Sequence, residues 1–395
     1  MIDRLRALVA VFAATLLTGC ITVPPAYGPE AADCSAQTAD PAAAQGPVYF
    51  VSTGLPDCLA GQPLALSVSR GTFRPYGAPA PQAVHYGLAV PGTPELPALS
   101  LAPATAWHDR LRRDLAGPPR RILLYVHGYN TNPVQALSEV DQIAMAARFD
   151  GPAIAFLWPS QRRLAKYTWD EENARWTQTY FDAVLADLVK LAPELVLVSH
   201  SMGNRIVMDG LGRLQAASPE LAARVRIVVL ASPDIDRELF DRDLAPDIVR
   251  DGRRVALFAS GRDVALRSSW AVHGNPRAGD VGCAFKLRRR NKPVDGERCY
   301  PAPRGGPGAL TVIDGTDLPG KPLGHSNHID TPEGRAALRA LFATPSTLPA
   351  GTNGVLRLTP DAAPDCSSGP SRLKLAYTVA RCPTAQKGKK GKKGK

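Results

Sequence analysis

The chain has 395 residues, of which 45% are hydrophobic and 21% charged, an ordinary balance that excludes a largely disordered chain. Six of the eleven net positive charges are lysines between Lys387 and Lys395, so the rest of the chain carries only +5 and the basic excess says little about a substrate. Without aromatic residues interleaved among the cations, nucleic acid is not expected as a partner, and after the N-terminal segment no apolar run is long enough to span a bilayer.

Residues 1–19 read as a signal peptide. Arg4 and Arg6 precede a short apolar run over residues 8–17, and Leu17-Thr18-Gly19-Cys20 follows. That tetrapeptide resembles the bacterial lipobox. The resemblance implies cleavage before Cys20, its lipidation, and a stable membrane anchor through several acyl chains. Ile21 in place of Asp suits the outer membrane of a Gram-negative envelope, facing the periplasm. Residues 20–45, rich in Ala and Pro, are expected to be a tether.

A domain is expected over residues 46–345. Residues 48–53 and 85–90 have strand character, and the Pro- and Gly-rich stretch 54–115 around them reads as leading strands and surface loops. Residues 122–126 form an unbroken apolar run, as a strand buried on both faces requires. Asn132 and Pro133 fit an N-cap and first helical position, with Val134, Leu137, Val140, Ile143, Ala144 and Ala147 at helical spacing behind them. Residues 153–158 are the next strand. Residues 170–191 are a helix with Trp176, Tyr180, Val184, Leu188 and Leu191 on its apolar face. Residues 195–198 read as a strand and 202–214 as a helix. Strands at 225–231, 255–259 and 310–313 follow, and Thr331-Pro332-Glu333 opens a last helix to residue 341. This alternation predicts an α/β fold, a mostly parallel central sheet with helices on both faces and no internal repeat. Residues 346–386 are expected to be a Pro/Ala-rich extension and 387–395 a disordered Lys/Gly tail.

In an exported chain the six cysteines Cys34, Cys58, Cys283, Cys299, Cys366 and Cys382 suggest disulfides, paired in sequence order because they fall into three close pairs. Their spacings match no zinc site, so no metal is expected.

The strongest chemical signal is Ser199-His200-Ser201-Met202-Gly203, between a strand and a helix. That context is a nucleophile elbow. The sharp turn lifts the central hydroxyl above the sheet edge, and small residues two positions either side let strand and helix approach. Ser199 stands where the common pattern has Gly. Ser201 is therefore the candidate nucleophile, its alternative being a helix N-cap. A serine needs a base. His85 and His108 precede the core, His127 and His200 belong to turns, and His273 lies in a segment read as irregular. His325 and His328, after the last strand, remain. The acid is expected between serine and histidine in sequence. Asp263, after the strand at 255–259, is preferred, with Asp234 and Asp236 after the preceding strand as its rivals.

At these residues the chain resembles bacterial α/β-hydrolases described as uncharacterised esterase/lipase-superfamily proteins. The resemblance rests on Val126-His127-Gly128-Tyr129-Asn130-Thr131, Leu157-Trp158-Pro159-Ser160, His200-Ser201-Met202-Gly203-Asn204, Ala231-Ser232-Pro233-Asp234-Ile235-Asp236 and Gly324-His325-Ser326. It implies the α/β-hydrolase fold, esterase chemistry without a cofactor, and backbone amides of Tyr129 and Met202 as the oxyanion hole. The family's terminal His-Ser pair favours His325 over His328.

The expected activity is a serine esterase or lipase-like hydrolase of the cell envelope acting on a small acyl ester or lipid. An acyltransferase or thioesterase with the same triad, or a non-catalytic envelope-binding lipoprotein, are the alternatives. Residues 159–171, with Arg162, Arg163, Lys166, Tyr167 and Trp169, suit either a lid or an ordinary connection. The basic loop 283–299 and the lysine tail suit either an anionic envelope polymer or lipid, or plain solvation.

Overall fold

The computed structural model describes residues 34–58, 61–67, 84–118, 120–161, 166–249, 252–282, 298–301, 310–319, 323–361, 369 and 371–375. The signal peptide, Cys20, Arg162, Arg163, Cys283, the cations of residues 284–297, Cys366, Cys382 and the lysine tail lie outside these residues.

Twelve strands are formed: β1 (Val48–Ser52), β2 (Pro56–Asp57), β3 (Ala65–Leu66), β4 (His85–Val90), β5 (Ala98–Ala102), β6 (Arg121–Val126), β7 (Ala153–Leu157), β8 (Glu194–His200), β9 (Val225–Ala231), β10 (Arg254–Ala259), β11 (Leu310–Asp314) and β12 (Val355–Arg357). β2 and β3 make a small separate ribbon. The other ten form one sheet in the order β12-β11-β10-β9-β8-β6-β7-β1-β4-β5. Only β4 and β5 run antiparallel to their neighbours. The main helices are α1 (Ala104–Asp114), α2 (Pro133–Ala147), α3 (Tyr167–Leu191), α4 (Gly203–Ala217), α5 (Val264–His273) and α6 (Pro332–Phe342).

Alternate residues of the central strands serve two cores. In β6, Ile122, Leu124 and Val126 pack with α1, α3 and α4 through Trp107, Leu111, Phe181, Leu185, Ile206 and Val207. Leu123 and Tyr125 face the other way, toward Leu137, Val140 and Ile143 of α2 and Leu338, Leu341 and Phe342 of α6. This two-sided burial is why these strands read as unbroken apolar runs. The mostly parallel sheet with helices on both faces is the one the alternation predicted, and it is consistent with the α/β-hydrolase fold that the resemblance implies. Among the described residues no helix is long and apolar enough to cross a membrane.

Several local expectations are corrected. Residues 104–114, read as loop, form α1. Trp107 and Leu111 are its fully buried face, and the Trp107 indole donates to the Gly87 carbonyl at 3.1 Å. The buried stripe of α3 includes Val184 and Leu188 as expected, but not Trp176, Tyr180 and Leu191, which the spacing suggested. Asn173, Ala174, Thr177, Phe181, Leu185 and Val189 are buried, whereas Trp176 and Tyr180 are half-buried and pack on each other. Polar residues enter that stripe because each is bonded, Thr177 to Thr53 at 2.7 Å and Asn173 to the Pro159 carbonyl at 2.9 Å. His273 is not in an irregular segment but ends α5. The segment after residue 345 contributes β12, which pairs with β11, and a strap in which Leu373 and Leu375 are buried. Asp141 of α2 holds that strap, accepting from Ser371 Oγ at 2.7 Å and from the Arg372 amide at 2.9 Å. Cys34 and Cys58 form a disulfide, and Cys299 is disulfide-bonded as well.

Candidate active site

The strand order reverses between β6 and β8, whose following helices α2 and α4 cover opposite faces. The C-terminal ends of these strands therefore mark the switch point, the usual ligand position in such sheets. Parallel pairing of Val126 with Ser199 carries Gly128 to the level of Ser201. Ser201 has φ +51°, a left-handed conformation costing a non-glycine residue about 1–3 kcal/mol. Its surroundings enforce it. The Ser201 amide donates to the Ala231 carbonyl at 2.9 Å, and Asn204 Nδ2 donates to the carbonyls of Ser201 and Ala231 at 2.8 and 3.1 Å. Ser199, at the position where glycine was expected, is fully buried and donates from Oγ to Asn204 Oδ1 at 2.8 Å. A small side chain is thus tolerated, and its hydroxyl braces the turn. Glycine is required elsewhere: a Cβ on Gly203 would lie 2.3 Å from the His127 carbonyl oxygen, and one on Gly128 would lie 2.8 Å from Ser201 Cβ.

His325 follows Gly324, and Asp263 caps α5 by accepting the Leu266 amide on Oδ1 at 2.9 Å. Asp263 Oδ2 lies 2.7 Å from His325 Nδ1, with the carboxylate fully buried and the imidazole 15% exposed. Burial alone would lower the His325 pKa. The Asp263 charge and hydrogen bond outweigh it and hold the pKa above the ordinary histidine value. The His325 carbonyl accepts from Ser232 Oγ at 2.8 Å, and its ring lies 4.7 Å from that of His200. The histidine loop is thereby docked on the ends of β8 and β9, beside the turn that carries Ser201. Among the described residues the Ser201 hydroxyl itself carries no hydrogen bond. The His325 carbonyl is bonded to His200, the residue before Ser201, so His325 and Ser201 lie at the same end of the sheet.

The rival residues are occupied differently. Asp234, 2% exposed, is 3.2 Å from Arg277 and 3.4 Å from Arg205, and accepts from Ser269 Oγ at 2.6 Å and from the Tyr167 hydroxyl. Burial would raise its pKa, but the two guanidinium groups hold it below the ordinary value. It also keeps its amide on the Ser201 carbonyl at 3.2 Å, so it supports the elbow from below. His328 is 1% exposed, packs on His200 and Phe258, and has neither ring nitrogen hydrogen-bonded among the described residues. Burial lowers its pKa to about 3, so it stays neutral.

The loop after β6 lies across the elbow. His127 is stacked on Trp158, its Nδ1 donating to the Gly128 carbonyl at 2.9 Å and its Nε2 accepting the Trp158 amide at 3.2 Å. Burial lowers its pKa to about 4. It is a neutral support for the loop. Asn130, with φ +59°, donates its amide to Asp170, which also accepts from Ser160 Oγ at 2.6 Å. Tyr129 packs edge-on against Tyr167 at 5.1 Å, and Met202 is buried at the N-cap of α4. The loop and the N-terminus of α4 thus flank Ser201.

Sequence reasoning gave no role to Asn204, Ser232 or the ring of His200. Ser232 has φ +44°, and nothing in the one-dimensional pattern distinguishes a serine that bonds a carbonyl 93 positions away. Asn204 had a visible signal, since it falls three residues after Ser201 on the first turn of α4.

The family described as alpha/beta hydrolase of unknown function (DUF900) matches residues 104–333. No curated protein matches the chain. The match spans more than half of the sequence, and the chain belongs to that alpha/beta hydrolase family.

Proposed function

We propose that this alpha/beta hydrolase is a serine esterase in which Ser201 is the nucleophile, His325 the general base, Asp263 the acid, and the amides of Tyr129 and Met202 the oxyanion hole. The observation that carries the reading is the buried Asp263–His325 pair, 2.7 Å apart, docked beside a serine in a left-handed turn at the strand ends.

In this reading Asp263 accepts Nδ1–H and so fixes the imidazole tautomer that leaves Nε2 free to accept. His325 takes the Ser201 proton as Oγ bonds to the ester carbonyl carbon, and the oxyanion gains the two amide bonds. The imidazolium then protonates the departing alkoxide as the C–O bond breaks. Water, deprotonated by the same base, adds to the acyl-enzyme, and Ser201 leaves with the proton returned. The raised His325 pKa suits a base that must hold a proton transiently beside a carboxylate. Losing one oxyanion donor is expected to cost about 2.7–4 kcal/mol of transition-state stabilisation.

The substrate class proposed is a small acyl ester or a lipid. Lipidation at Cys20, an envelope location and contact of the lysine tail with anionic polymer belong to the same proposal and rest on the sequence alone. The direct test is turnover of short p-nitrophenyl esters by the wild type and by Ser201→Ala. The reading predicts turnover that the substitution abolishes. Equal rates for the two proteins would refute it. Faster release of p-nitrophenol, with acyl transfer to an added alcohol, would assign the acyltransferase alternative.

A further inference from the structure

Resting on the serine-esterase reading, we propose that His200 and Ser232 are positioning residues that fix the distance between base and nucleophile by clamping the His325 carbonyl to the sheet. His325 sits in a loop, between Gly324 (φ +59°) and a short helix at Asn327–Asp330. Among the described residues its ring has one hydrogen bond, that to Asp263. A single hydrogen bond restrains one ring nitrogen and leaves the ring free to pivot about it.

The backbone supplies the second anchor. The His325 carbonyl accepts from Ser232 Oγ at 2.8 Å and from His200 Nε2 at 3.1 Å. A carbonyl only accepts, so His200 carries its proton on Nε2, and its Nδ1 is a buried lone pair beside Gly128. Both donors lie at strand ends. His200 is the last residue of β8 and immediately precedes Ser201; Ser232 immediately follows β9. These two strands are paired in unbroken register from Val196 and Ile227 to His200 and Ala231. The base is thereby hung from the same two strands that present the nucleophile, and loop motion cannot change their separation without breaking these two half-buried bonds.

The clamp must also be uncharged, because His325 becomes an imidazolium during turnover. Burial keeps the His200 pKa well below the ordinary value, with the nearby His325 and His328 acting in the same direction. Around the His325 ring the charged and titratable groups are Asp263, His200 and His328, with Asp234 and Glu139 farther away.

Three substitutions test this. His200→Gln places an amide donor near Nε2, His200→Leu fills the space without a donor, and Ser232→Ala removes the second donor while keeping the Cβ. Rates on p-nitrophenyl acetate should show kcat reduced about tenfold in His200→Leu and in Ser232→Ala, with KM nearly unchanged, and substantial recovery in His200→Gln. NMR titration of the His325 ring should show its pKa lowered in the first two and retained in the third. A purely structural role would lower thermal stability in all three while leaving the kcat and the titration at wild-type values, and that result overturns the proposal. Ser232→Ala carries the test if His200→Leu does not fold. A wild type that turns over no ester would instead refute the esterase reading, and the NMR titration would still decide the clamp.

Discussion

Replacing Asp263 by Asn separates chemistry from stability. One Asp263 oxygen caps α5 and the other holds His325 Nδ1. The Asn side chain keeps a single oxygen. If that oxygen stays on the Leu266 amide, the NH2 group faces Nδ1 and can be satisfied only by a ring that accepts there. The histidine then carries its proton on Nε2, toward Ser201, and cannot act as a base. A wrong tautomer of this kind lowers kcat by about 10⁴. The cap survives, so stability should change by no more than about 1 kcal/mol. Asp234→Asn should behave in the opposite way. It leaves Arg277, whose side chain is 3% exposed, without its carboxylate, and breaking a buried pair costs about 3–5 kcal/mol. Activity per folded molecule should largely remain. Denaturant unfolding and ester hydrolysis on both variants provide the comparison. An Asp263→Asn enzyme with near wild-type kcat, alongside an Asp234→Asn enzyme that is stable and inactive, would refute the assignment of the acid.

Other outcomes follow from the same geometry. Because the raised His325 pKa belongs to a base that must be neutral, kcat/KM should rise with pH through a value above the ordinary 6.5, and an acid limb below 6.5 would contradict this. The protonated form is favoured by folding, so the stability it contributes is complete below pH 6.5 and is lost as pH rises through the folded-state value. His127 and His328 have the reverse sign. Their pKa values fall from 6.5 to about 4 and about 3, so the stability they contribute above pH 6.5 is lost on acidification. At pH 5 each should cost about 2 kcal/mol, visible in denaturant midpoints, and a midpoint flat from pH 7 to pH 5 would count against the buried neutral histidines. Gly128→Ala places a Cβ 2.8 Å from Ser201 Cβ and should lower kcat/KM by about a hundredfold through displaced reacting groups; a rate near wild type would show that the loop yields freely.

Much of this fold was legible in the sequence where local and global signals agree. The run at β6 is apolar because both faces of the sheet are covered, and Asn132-Pro133 announces α2 because its side-chain oxygen does accept the Gln135 amide, at 2.7 Å. Helix α1 was hidden by the proline- and glycine-rich segment before it, and its buried face holds only Trp107 and Leu111. The full stripe of α3 was missed because hydrophobicity cannot foresee that Asn173 and Thr177 find buried partners. The elbow was readable despite Ser199, since strand, turn and helix frame it. The partition of the two aspartates was not decidable from order alone: both follow strands, and it is the 2.7 Å contact of Asp263 with His325 and the packing of Arg205 and Arg277 around Asp234 that set them apart. Ser232 and the His200 ring act through contacts that bridge more than ninety positions, which no spacing rule reaches.

The most direct test of the account is mass spectrometry of the folded protein after exposure to a fluorophosphonate. The account predicts one covalent adduct per chain, located on the peptide containing Ser201 and lost in His325→Ala. An unmodified wild-type protein, or an adduct on a different serine, would contradict it.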